Sequence, residues 1–304
     1  MIRFRIQRQE LAQRIDQHDP KWSGKAKTRT KTAVEKGGVA DGDGIWSDIK
    51  DVYMTLQGWK CMYCEKPMPR PDPAAVATGK VEYDVEHFRP KNRVTSWPTE
   101  RVQKARTIDY AGQLRQGAVD GYVRLAFDPW NYGVSCKTCN SELKGDRFPI
   151  LGKPDVVGSD RGTLDEKERP CLLLPIGDDG PDPENWLEWL GPVVRAKVTL
   201  TGDEALRART LVDFFELDNR PDLLLIRCFA IEMLWAALRD EADGDPGAAE
   251  RINAATADDA VFAGCTRAFL RMYRQDPAAA RQWRNRARDY AARKEPKLLE
   301  IVHG

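Results

Sequence analysis

The stretch WNYGVSCKTCNSELKGDRFP, residues 130–149, holds three features in sequence order. An extended run ends at Cys136, a C-x2-C pair joins Cys136 to Cys139, and a short helical stretch starts at Asn140. Upstream, CMYCE repeats the spacing with Cys61 and Cys64, and between the pairs lies DVEHFRPKN, residues 84–92. His87 in that segment is one of three histidines in the chain. The order is knuckle, strand, loop, strand, knuckle, helix, which predicts an α+β fold.

Two C-x2-C pairs point to metal binding rather than to disulfides when no secretion signal is evident. Four thiolates from Cys61, Cys64, Cys136 and Cys139 close a tetrahedral zinc site and leave no position for a substrate. The 71 residues between the pairs far exceed the roughly 15–20 of a simple zinc ribbon, so something functional is expected between them. Any hydrolytic metal must then be a second one with oxygen ligands. Glu86 is a hard oxygen ligand, and Asn140 offers a carbonyl oxygen beside Cys139; together they suit Mg2+ or Mn2+. His87, with an ordinary pKa of about 6.5, suits the removal of a proton from water at neutral pH. Successive strand side chains face opposite ways, so Glu86 and His87 serve one site only if the strand ends at His87.

These segments taken in order resemble the HNH endonucleases of the ββα-metal type with two zinc knuckles, and most of all the HNH subunits of Septu and retron-associated anti-phage systems. The wording EHFRPK and CNSxxKGxxFP carries the likeness. The resemblance is specific over 59–152, looser over about 171–227, and absent from 1–40 and 240–304. It implies that His87 is the general base, that Glu86 and Asn140 hold the catalytic ion, that Asn131 braces the catalytic loop, and that Asp84 supports the site. It further implies a nuclease acting on DNA beside an ATPase or sensor protein. A long insertion at 93–124 and Glu in place of the commoner Asp depart from the family pattern. An RNA- or tRNA-cleaving nuclease and a non-catalytic zinc-stabilised subunit that binds nucleic acid or a partner are the alternatives.

Charge is divided unevenly. Residues 1–152 hold 26 Lys+Arg against 19 Asp+Glu, and residues 153–304 hold 22 against 28. The basic half suits a polyanionic substrate and the acidic half a protein partner. Arg89, Lys91, Arg93, Lys137, Lys144 and Arg147 flank the site in sequence and are expected to reach phosphates. The basic segment KWSGKAKTRTKTAVEKGG is expected to be a solvated arm, with docking of nucleic acid or a partner as its functional reading.

Three regions are expected: a helical and basic 1–58, the nuclease core 59–152 and a mainly helical 153–304. Residues 45–59 have one apolar face at helical spacing, 80–88 read as a strand, 99–118 as a polar helical insertion and 122–136 as a second extended stretch. Loops are expected up to about 185, and two helices split near QDPAA in 247–295. Cys228 lies on a helical apolar face with Leu224, Ile231, Trp235 and Leu238, and Cys171 and Cys265 adjoin apolar residues, so these three are expected to be structural. The start of the chain lacks an apolar core of signal-peptide length and no run approaches ~18 apolar residues, giving the expectation of a soluble cytoplasmic protein without membrane contact.

Overall fold

The computed structural model describes residues 1–69, 83–106, 108–155, 157–158 and 160–293. The chain divides into two compact units, one of Arg3–Met62 and Met68–Gly180, the other of Met1–Ile2, Tyr63–Pro67 and Pro181–Gly304. The fold is α+β with small antiparallel sheets.

In the first unit, helix Arg8–His18 buries Leu11 and Ile15, one turn apart. Next comes helix Trp22–Lys36, which buries Trp22, Ala26 and Ala33 and stops at Gly37 in the left-handed conformation. The basic segment is therefore not a solvated arm. A narrow stripe of one tryptophan and two alanines suffices to seat it, and small residues at a period of three to four are easily missed beneath so many charges. The helix expected over 45–59 is a 3-10 turn, Trp46–Ile49, running into an α-helix, Lys50–Leu56.

Strand β1, Tyr83–His87, ends at the histidine, while the start of the expected strand at Lys80 lies outside the described residues. Arg115–Gln116 forms β2. Tyr132–Cys136 forms β3, which pairs antiparallel with β1 so that Glu86 lies opposite Gly133 and His87 opposite Tyr132. The rest of the extended stretch expected over 122–136 is instead turned, with 3-10 segments at Val123–Leu125 and Pro129–Asn131. Asp128 accepts a hydrogen bond from Trp130 N, and Pro129 opens the second turn, so local bonding outweighs the apolar pattern there. After β3, Thr138–Lys144 is a π-type helix, starting two residues before the expected Asn140. The insertion holds two short helices, Glu100–Ala105 and Tyr110–Gln113, capped by Thr99 and Asp109. Its end, β2, pairs with β4, Pro149–Ile150. Helix Arg161–Glu168, capped by Asp160, lies where loop was expected; Leu164 is its one buried hydrophobe, too few for a visible period.

The second unit contains a hairpin of β5, Leu187–Leu190, and β6, Val193–Ala196, that the helical reading of this half missed. Helix Gly202–Phe214 and helix Pro221–Ala242 follow, the latter with proline in its first turn, where its missing amide proton costs nothing. Leu224, Cys228, Ile231, Trp235 and Leu238 are all buried, as their spacing predicts. Three helices, Ala248–Thr256, Ala263–Gln275 and Pro277–Arg293, replace the expected two; the break falls at QDP as expected, and a further one precedes Ala263. Among the described residues no helix is long and apolar enough to cross a membrane.

Candidate metal centre and active site

Cys61, Cys64, Cys136 and Cys139 converge, their sulfurs all within 4.8 Å of one another and buried. A tetrahedral zinc with Zn–S of about 2.3 Å separates its sulfurs by about 3.8 Å, so this cluster is compatible with one zinc ion. The first knuckle is tied to β3. Met62 N donates to Val134 O at 3.1 Å, and the buried Gln57 amide donates to Lys60 O and Val134 O while accepting from Val134 N. Gly133 lets the knuckle pack closely there, since a Cβ would fall 2.2 Å from Met62 Sδ and make that side chain shift. The other three cysteines are buried and do not belong to the cluster, and burial pushes the Cys228 and Cys265 thiols up to about 12, so they stay protonated.

At the far end of β1 the side chains are charged and buried. Glu86 is 3% exposed, and burial pushes its pKa up to about 7 against the pull of Lys144 and Lys91. Lys144 Nζ lies 2.5 Å from Glu86 Oε1, yet its hydrogen bonds go to the carbonyls of His87 and Gly145. Glu86 Oε1 thus has the Lys144 ammonium as its buried ion-pair partner. His87 Nε2 is 3.1 Å from Ala126 O. A carbonyl can only accept, so Nε2 carries the proton and Nδ1 keeps its lone pair. Trp46 and Tyr132 meet the ring edge-on at centroid distances of 4.7 and 4.9 Å. Burial, then the charge on Lys91, holds the imidazole pKa well below its ordinary value, so the ring is neutral at pH 7.

Asn131 braces the chain just after the histidine. Its side chain accepts from Arg89 N at 2.8 Å and donates to Arg89 O at 2.9 Å and Leu125 O at 3.2 Å, and its carbonyl accepts from Phe88 N. Arg89 itself points inward, with Nε on Glu168 at 3.0 Å and Nη2 on Asp165 at 2.7 Å, and its guanidinium faces the rings of Phe88, Tyr122 and Phe148. Glu168 also accepts from the Tyr122 hydroxyl and Asp155 N. Asn140 sits half-buried on the π-type helix. Asp84 is exposed and accepts from Val85 N.

Two expected phosphate contacts need correction. Arg89 and Lys144 are each 1% exposed and ion-paired inside the unit, where no phosphate reaches them. Of the other four, Lys137 is exposed and Arg93 is exposed but paired with Asp146. Lys91 is half-buried over the Trp46 ring, and Arg147 donates to Leu143 O near the end of the π-type helix. Trp46, Gln57 and Glu168 were not foreseen as site residues. Glu168 lies 79 residues from Arg89 in sequence, with no local pattern to betray the pairing. Compared with known proteins, the chain matches no family model, no curated protein and no solved structure.

Proposed function

We propose that the chain is a metal-dependent endonuclease of the HNH type that hydrolyses phosphodiester bonds of DNA. The observation that carries this reading is an imidazole oriented by a backbone carbonyl at the end of β1, next in sequence to a buried carboxylate, on a strand–strand–helix scaffold joined to a four-cysteine cluster. His87 Nδ1 takes the proton of an attacking water, while the Ala126 carbonyl holds the ring in the tautomer that leaves Nδ1 basic. Asn131 fixes the loop that follows His87. Glu86 and Asn140 would hold Mg2+ or Mn2+, in competition with the Lys144 ammonium that lies 2.5 Å from Glu86 Oε1. Such an ion, when bound, neutralises charge at the scissile phosphate.

The resemblance over 59–152 supplies the setting of this reading, the nuclease effector of a bacterial anti-phage system that works with an ATPase partner. The test incubates the zinc-loaded chain, alone and with the product of its genomic neighbour, with DNA, RNA and tRNA in Mg2+ or Mn2+. DNA cleavage that His87→Ala abolishes is expected. Cleavage confined to RNA or tRNA, or cleavage that survives His87→Ala, would overturn the assignment.

A further inference from the structure

With Arg89 and Lys144 committed to internal pairs, a polyanion that meets the exposed Lys137 needs further cations from elsewhere in the first unit. Helix Trp22–Lys36 holds five basic residues and one acidic one, Glu35. Its buried stripe of Trp22, Ala26 and Ala33 leaves Lys27 and Lys31, with Lys21 just before the helix, on the outward side, and all three are exposed. Lys25 and Arg29 are neutralised by Asp19 and Asp43. Lys31 has only Glu35 at 4.0 Å, an exposed contact of small worth, and Lys21 and Lys27 have no ion pair among the described residues.

Both ends of this helix are strapped to the surroundings of His87. At its start the Trp22 ring meets Tyr132 edge-on at 6.4 Å, and Tyr132 in turn meets the His87 ring. Trp22 Nε1 donates to Ile45 O at 2.7 Å, immediately before Trp46, which also packs on His87. Beyond its end, Val39 exchanges two hydrogen bonds of 2.9 Å with the Asn92 amide, in the loop that follows His87. Its flank lies against the Val123–Leu125 turn, which leads to the Ala126 carbonyl holding His87 Nε2.

We propose that this helix docks the phosphate backbone of duplex DNA through Lys21, Lys27 and Lys31, beside the bond that His87 attacks. The proposal takes the position of that bond from the nuclease reading. The charges fit a polyphosphate: Lys21 to Lys31 spans about 15 Å along a rigid helix axis, enough to meet successive phosphates of a regular duplex. With its apolar stripe buried, the helix has no hydrophobic face to offer a membrane.

The test measures fluorescence anisotropy of a labelled DNA duplex with the zinc-loaded His87→Ala chain, without Mg2+, over a range of salt. Adding Lys21→Ala, Lys27→Ala and Lys31→Ala together is expected to flatten the slope of log affinity against log salt by about 2.7, that is ~0.9 for each phosphate lost. Binding at about 0.1 M salt then weakens on the order of a hundredfold. Arg281→Ala with Arg288→Ala, exposed cations of the other unit, leaves both quantities unchanged. An unchanged slope in the lysine variant, an equal loss in the arginine control, or tighter binding of an RNA duplex of the same sequence overturns the proposal. Cleavage by the wild type with an unchanged slope defeats the helix alone. Lysine-dependent DNA binding without any cleavage defeats the nuclease reading and leaves the helix standing.

Discussion

Arg89 and Arg227 are both 1% exposed, and the two units house them in opposite ways. Arg89, in the strand–strand–helix region, spends its donors on two carboxylates, and its backbone on the Asn131 amide. Arg227, on helix Pro221–Ala242, donates to the Leu217 and Pro192 carbonyls, leaves Nε without a hydrogen bond, and lies over the Trp189 and Phe262 rings. Charged pairs fix direction as well as distance, whereas ring stacking and carbonyl contacts mainly fill space. Around the imidazole the buried arginine is held by the first kind of contact, and on helix Pro221–Ala242 Arg227 is held by the second.

Metal removal is the largest expected break in this comparison. Cys139→Ser or prolonged chelation removes zinc and, with it, folding energy on the order of 10 kcal/mol as in zinc-finger peptides. Zinc content and the β1–β3 amide protection should fall together. Zinc-free protein with full protection at β1 and β3 would remove the metal from the account.

The two arginines come next. Arg89→Met leaves the fully buried Glu168 carboxylate without its cation, a loss of about 3–5 kcal/mol. Arg227→Met strands two neutral carbonyls and removes a charge near Glu65 and Cys64, but breaks no close carboxylate pair, a loss of about 1–3 kcal/mol. Denaturant midpoints of the two variants test this order, and an equal or reversed ranking would undo the comparison.

On activity, His87→Ala should lower cleavage about 10²- to 10⁴-fold, the usual worth of a general base, with secondary structure unchanged. The pH dependence departs from that of an ordinary imidazole, which would give a rise between about pH 6 and 7.5. Burial holds the His87 pKa well below 6.5, so its acid limb moves to lower pH. Glu86, raised to about 7, must ionise to bind a cation. Subsaturating Mg2+ should therefore show a rate rising through about pH 7, and saturating Mg2+ a flat profile across that range. A persistent rise near pH 6.5 at saturating metal would mean a solvated histidine.

The smallest effect is a stability slope. The His87 pKa is lowered on folding, so the unfolded chain binds the proton first. Its contribution is present above about pH 6.5 and is lost as pH falls toward the folded value. His87→Ala should flatten that part of the pH–stability curve relative to wild type.

Much of the site could be seen in the chain as written, because spacing constrains it. Two C-x2-C pairs admit few arrangements besides a common cluster, and they meet with sulfurs within 4.8 Å. β1 does end at His87, and Pro90, which has no amide proton to give a strand, follows soon after. Wide apolar stripes were equally plain, as on helix Pro221–Ala242. The basic helix was not, since two alanines and a tryptophan form a weak pattern among lysines. Nor was helix Arg161–Glu168, whose one buried hydrophobe carries no period.

Sequence alone determined the cysteine set, the Glu86–His87 adjacency and the basic character of the first half, each a matter of residue type and local spacing. Long-range packing decided which cations face water. Arg89 and Lys144 looked like surface charges, and the chain turned them inward because Glu168, Asp165 and Glu86 wait there as partners. It also decided the tautomer of His87, through a carbonyl 39 residues away. Pairings of that reach follow from how the elements stack, and no window of neighbouring residues contains them.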